Sequence, residues 1–118
     1  MRRILAWIPA LVWMAVIFGF SHQPALKTSS IDWQDFIIRK TAHVTEYFIL
    51  TLLFLLPLHQ SLGLSRKKAL VVAVVLALIY AITDEYHQTF ITGREGRFRD
   101  VGIDSLGVLS AVLFSRNW

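Results

Sequence analysis

Four long apolar stretches within 118 residues leave this chain little to present to water. Ile4 to Phe20 runs for 17 residues without a charge, and Thr41 to Leu58 for 18 with one acid and one histidine. Ala69 to Ile82 adds 14 apolar or aromatic residues, its helical pattern continuing to Phe90; Val101 to Phe114 adds 14 with one acid near its start. A helix needs about 20 residues to cross roughly 30 Å of hydrocarbon, so these runs span only with polar ends included. The alternative is four core helices of a soluble bundle. With hardly any amphipathic stripe, that bundle has no side for water. Charged residues make up 17% of the chain, against about 25% in an average soluble domain, and mean hydropathy is +0.55. Intrinsic disorder is excluded by the same values. The expectation is an all-α membrane protein: one domain over 1–118, a bundle of four transmembrane helices near 4–20, 39–58, 68–90 and 100–115.

The chain has no cysteine, which removes disulfides, thiolate metal sites and cysteine nucleophiles. A net charge of +4 raises nucleic acid as a partner, but the basic residues are scattered between apolar runs and form no stripe. No nucleic acid is expected. Arg2 and Arg3 before an apolar run resemble a signal peptide. The run is long, contains Trp7 and Trp13, and lacks a small-x-small cleavage site, so it reads as a retained first helix. Four crossings put both termini on one side. Lys and Arg tie at six on each side: Arg2, Arg3, Arg66, Lys67, Lys68 and Arg116 against Lys27, Arg39, Lys40, Arg94, Arg97 and Arg99. The first helix breaks the tie, because Arg2 and Arg3 outweigh a distant Lys27. Cytoplasmic termini follow.

All eight acids fall on the side away from the termini: Asp32, Asp35, Glu46, Asp84, Glu85, Glu95, Asp100 and Asp104. Alternating helices bring these positions into one layer. At about 100° per residue, Arg39, His43 and Glu46 share one face of the second helix, and Tyr80, Asp84, His87 and Gln88 one face of the third. Asp100 and Asp104 are i,i+4 neighbours on the fourth helix, and Gly107 and Ala111 continue that face as a small-xxx-small pair that permits close helix approach. Ionisable residues inside a membrane cost at least about 2.5–3.5 kcal/mol at mid-span and need partners or a wet cavity. A self-neutralising ion network that pins the helices is the plain explanation. Apolar replacement is often the more stable solution, however, so a whole layer of such residues points to function.

Three kinds of chemistry suit the layer. One is general acid–base work by a carboxylate or imidazole held away from water, with His43, Glu46, Asp84, His87 and Asp104 as the catalytic candidates. Another is a divalent cation among Asp84, Glu85, Asp100 and Asp104, where oxygen ligands favour Mg²⁺ or Ca²⁺. The third is anion binding by Arg39, Lys40 and Arg94, with Gln88 and Asp100 alongside and Arg97 and Arg99 nearby. No His-Glu-x-x-His, Gly-x-Ser-x-Gly or phosphate-binding glycine loop is present. Ser21 and His22 are adjacent and point apart on a helix. Trp7, Trp13, Trp33 and Trp118 read as interface anchors or lipid packing. Arg66-Lys67-Lys68 reads as an orientation signal, His59 as a loop residue, and Asp32 to Phe36 as an interfacial helical turn covering the site or a plain connector. Gly93 and Gly96 mark a tight turn that would aim Arg94 over the helix ends.

From about Phe20 onward these residues resemble the VanZ-like family, named for a teicoplanin-resistance protein. The resemblance runs through Phe20-Ser21-His22-Gln23-Pro24, Lys40-Thr41-Ala42-His43-Val44-Thr45-Glu46-Tyr47 and Asp84-Glu85-Tyr86-His87-Gln88-Thr89-Phe90. Gly93-Arg94 and Asp100-Val101-Gly102-Ile103-Asp104-Ser105-Leu106-Gly107 complete it. His22 stands where the family more often has serine, and Thr92 where many members have proline. The resemblance implies a small bacterial membrane protein, sometimes tied to glycopeptide resistance, and supplies no settled reaction. Combined with the polar layer, it leads to an outward-facing pocket near the lipid headgroups of the bacterial cytoplasmic membrane. The expected partners are membrane lipids, with a lipid-linked cell-wall precursor or a glycopeptide as further candidates, held or acted on there. The alternative is a non-catalytic binding or assembly module whose ionic layer is structural.

Overall fold

The computed structural model describes residues 2–22, 32–88 and 98–115, which contain no strand. A single helical turn, α1 (Arg2–Leu5), leads through a turn at Ala6 and Trp7 into α2 (Ile8–His22). The expected continuous helix from residue 4 is interrupted there for a local reason. Pro9 has no amide to return to the Leu5 carbonyl, so the chain turns and restarts with proline in the first turn of the new helix. α3 covers Asp32–Gln60, α4 Arg66–Gln88 and α5 Phe98–Phe114. The third helix thus begins well before the expected position 39, and Asp32 to Phe36 belongs to it. No glycine or proline occurs between Asp32 and Leu56, so its polar residues decorate the helix without ending it.

Four contacts set the directions. Met14 meets Tyr80 and Phe18 meets His87, so α2 and α4 run the same way. His43 meets Asp104 and Phe48 meets Phe114, so α3 and α5 run together. A tight turn reverses the chain between α3 and α4. Pro57 accepts the Ser61 and Leu62 amides at 2.7 and 3.2 Å, the Leu64 amide returns to Leu58 at 3.2 Å, and Gly63 takes φ +69°. Ser65 then caps α4, its hydroxyl accepting the Lys68 amide at 3.3 Å. Ser65→Ala is expected to lower stability by about 1 kcal/mol, read as a shifted unfolding midpoint in detergent micelles.

α3, α4 and α5 pack pairwise, and α2 lies against α3 and α4. The contact side of α4 is a row of fully buried alanines at every fourth position, Ala69, Ala73, Ala77 and Ala81. Small side chains let neighbouring helices come close, which substitutes for the hydrophobic drive that lipid cannot supply. The next member of that row is Glu85, also buried. On α5 the buried row is Asp104, Val108 and Ala111, with Ser115 just past its end, and on α3 Tyr47, Leu50, Thr51, Phe54 and Leu58. Each inner face is therefore apolar or small over most of its length and becomes ionisable toward the same end of the bundle. At Gly107 α5 lies directly against the backbone of α3. A Cβ on Gly107 would overlap the Val44 carbonyl oxygen and lie 3.0 Å from the Phe48 amide nitrogen.

The outer faces are equally apolar. Val71, Val75, Ile79 and Ile82 lie exposed along α4, and Leu106, Leu109, Leu113 and Phe114 along α5. Two helical stretches, Ile37–Gln60 and Arg66–His87, are long and apolar enough to cross a membrane. Only 39% and 33% of their apolar windows are buried, unlike the core helix of a soluble protein. The apolar parts of α2 and α5 are shorter, Ile8–Gly19 and Val101–Phe114. Hydroxyls inside the helices bond back to their own turns, as Thr51 does to the Tyr47 carbonyl at 2.7 Å and Ser110 to Leu106 at 2.7 Å. That is how a polar group is satisfied where water is scarce. Contiguous apolar surface of this extent suits hydrocarbon, not water.

Candidate functional site

The ionisable ends of the three inner rows meet where α3, α4 and α5 converge. His43 lies one turn before Tyr47 on α3, and its Nδ1 is 3.2 Å from Asp104 Oδ1 on α5. Asp104 is 1% exposed, and neither of its carboxylate oxygens lies in a well-aligned hydrogen bond. From α4, Glu85 completes the group: one ligand atom each from His43, Glu85 and Asp104 falls within 4.8 Å of the others. Beside it the Tyr47 hydroxyl donates to Asp84 Oδ2 at 3.1 Å, and both residues are buried. Asp84 and Glu85 are consecutive and so about 100° apart around α4. Both are inside because α4 packs against α3 on one flank and α5 on the other.

The expected residues distribute unevenly over this arrangement. His43, Asp84 and Asp104 enter the inner layer. Glu46 is half-buried, and its backbone carbonyl accepts the Trp13 indole N–H at 2.9 Å. Trp13 therefore ties α2 to α3 and is not simply a lipid anchor. His87 faces α2, stacked on Phe18 with ring centroids 4.6 Å apart. Arg39 and Lys40 are half-buried on the turn of α3 preceding His43, and Lys40 is within electrostatic reach of Asp104. Of the four carboxylates read as a cation set, Glu85 and Asp104 come together, joined by His43, while Asp84 engages Tyr47. Asp100 and Gln88 occupy helical positions at the same end of the bundle, described by their backbone alone. Arg94, with Gly93, Gly96 and Arg97, lies outside the described residues.

Tyr47 is the member that sequence reading placed in no role. It sits next to Glu46 and four residues after His43, at the edge of an apolar run where an aromatic ring passes for packing. Its signal is the i,i+4 step from His43, which extends the polar face one turn deeper. Tyr47→Phe keeps the ring and removes the hydroxyl that donates to Asp84 Oδ2. The expected cost is about 1–2 kcal/mol, measured as the difference in unfolding midpoint in micelles.

Chemically, the layer offers an imidazole, three carboxylates and a phenol in a place shielded from water, with cationic side chains one turn nearer the start of α3. It is equipped for proton transfer, for cation binding and for contact with a polar headgroup. No curated protein and no solved structure matches the chain. A family model described as VanZ/LLP1 does match, over residues 6–118, extending the likeness seen from Phe20 onward to the first long helix. That match takes in nearly the whole chain and every residue of the layer, and the protein belongs to the VanZ/LLP1 family.

Proposed function

We propose that this is a four-span protein of the bacterial cytoplasmic membrane that recognises an anionic envelope lipid or lipid-linked cell-wall molecule. The observation that carries the reading is the layer of buried ionisable side chains from three helices, inside a bundle whose outer faces are apolar. With Arg2 and Arg3 holding both termini in the cytoplasm, the layer lies at the outer-leaflet end, level with lipid headgroups. Arg39 and Lys40, together with Arg94, would meet the phosphate; Gln88 and Asp100 would add polar contacts. His43, Glu46, Asp84, His87 and Asp104 would hold or move protons at the bound headgroup. Masking or altering a lipid-linked cell-wall molecule there would lower the response to a glycopeptide such as teicoplanin, which is the form a resistance role would take.

Native mass spectrometry of the detergent-purified chain tests the reading. Wild type should retain a phosphate-bearing lipid, and the Arg39→Gln/Lys40→Gln double variant should lose it with helix content unchanged. A lipid-free wild type, or the same lipid kept by the double variant, contradicts the proposal. Orientation is tested separately with Arg66→Cys and Glu95→Cys in intact cells. An impermeant thiol reagent should label position 95 and spare position 66; the opposite pattern inverts the topology.

A second reading has its own observation. The Tyr47–Asp84 and His43–Asp104 contacts each bridge two helices, as a purely structural ionic layer would. Asp84→Asn separates the two. It keeps shape and can still accept from Tyr47, so a ligand-binding role predicts near-wild-type melting with lost lipid retention. A scaffold predicts lost stability with retention intact in the folded fraction.

A further inference from the structure

We infer that His43, Glu85 and Asp104 form a binding site for a divalent transition metal ion of the zinc or manganese class at the junction of α3, α4 and α5. Three helices each contribute one donor, and the three donor atoms lie within 4.8 Å of one another. Ligands held about 2.0–2.2 Å from a single ion sit roughly 3–4 Å apart. The group therefore needs to draw in by about an ångström, which side-chain torsions supply without moving a helix. The independent pointer is Asp104. It is 1% exposed, its Oδ1 lies 3.2 Å from His43 Nδ1, and among the described residues neither carboxylate oxygen has a well-aligned hydrogen-bond donor. Buried carboxylate oxygens ordinarily collect donors, and a cation is a partner that satisfies those that do not.

The donor set selects the ion. An all-oxygen set favours magnesium or calcium, but an imidazole nitrogen with two carboxylates suits zinc, manganese or ferrous iron. A neutral imidazole, two carboxylates and a divalent cation sum to zero charge, the form in which such a cluster is least costly to keep away from water. Three protein ligands also leave a coordination position open, the arrangement of a working metal site as opposed to a closed structural one. An anionic oxygen of a bound headgroup would fill it. In that respect alone the inference leans on the proposed lipid reading; the ion site itself does not.

The test uses the full chain, purified in detergent with any histidine tag removed and stripped with a chelator. Zinc and manganese are titrated by calorimetry, and cobalt is added as a spectroscopic probe. One equivalent should bind, excess magnesium should not displace it, and cobalt should show the visible bands of a nitrogen–oxygen site. Asp104→Asn, Glu85→Gln and His43→Gln should each weaken binding at least tenfold, whereas Ser110→Ala, on the exposed face of α5, should bind as wild type. Helix content by circular dichroism checks each variant, and the cobalt spectrum of the wild type decides if all three misfold. No stoichiometric binding to wild type, displacement by magnesium, or unchanged affinity in the folded variants overturns the site. Metal without retained lipid would defeat only the headgroup reading, and lipid without metal only this one.

Discussion

Gly107→Ala is expected to cost about 3 kcal/mol or more, the upper end of what overpacking does, because the added methyl meets backbone. A new Cβ there overlaps the Val44 carbonyl oxygen and crowds the Phe48 amide, and neither can rotate away as a side-chain tip would. α5 must separate from α3, which pulls Asp104 from His43 as well. Gly107→Leu is expected to abolish the fold. The same change five residues earlier has the opposite sign. Gly102 also lies within α5 but is exposed, with nothing within 4 Å of its would-be Cβ. Gly102→Ala should therefore stabilise by about 0.5–1 kcal/mol through helix propensity alone. Denaturation midpoints of the two variants in one detergent check both signs. Equal effects would show that the α3–α5 approach is looser than described.

The second large effect belongs to the His43–Asp104 pair. His43→Leu leaves a carboxylate that is 1% exposed without its ion partner, at an expected cost of about 3 kcal/mol or more. Asp104→Leu should cost less, since a neutral imidazole is cheaper to leave unpaired away from water than a carboxylate. Replacing both should return stability to within about 1 kcal/mol of wild type, because apolar packing substitutes well for a buried ion pair. The coupling is read from unfolding free energies around the double-mutant cycle. The double variant also separates scaffold from function. Restored stability with lipid or metal binding gone would mark the pair as retained for a ligand. Restored stability with binding intact would remove both residues from the site.

The helical class and the apolar exterior were legible because they depend on local sums. Hydropathy over a run of residues determines whether a helix can face lipid, and no partner is needed to compute it. The gathering of acids at one end followed from the same logic, since alternating helices bring the end of one to the start of the next. The seam at Gly107 and Ala111 was legible for a related reason: small residues four apart lie on one face whatever packs there. Boundaries were less so. The start of α3 at Asp32 was hidden because polar composition imitates a connector, although nothing from Asp32 onward breaks a helix. The division between α1 and α2 depends on one missing amide at Pro9, a signal smaller than the hydropathy that surrounds it.

Partnerships within the layer belong to a different level. Helical periodicity places Asp84 and His87 on a shared face, yet Asp84 reaches Tyr47 on α3 while His87 stacks on Phe18 of α2. A face about 100° wide is broad enough to touch two neighbours, and only packing decides which residue meets which. The alanine row of α4 shows the same division. Its spacing can be read along the chain, but that it ends in Glu85 beside His43 and Asp104 depends on how three helices are set against one another. By itself the sequence determined that the chain is helical, greasy outside and ionisable at one end, because those properties add up residue by residue. Tertiary structure alone decided that Tyr47 serves Asp84 and that an imidazole joins two carboxylates, because contacts across helices depend on rotation and depth, which no local pattern encodes.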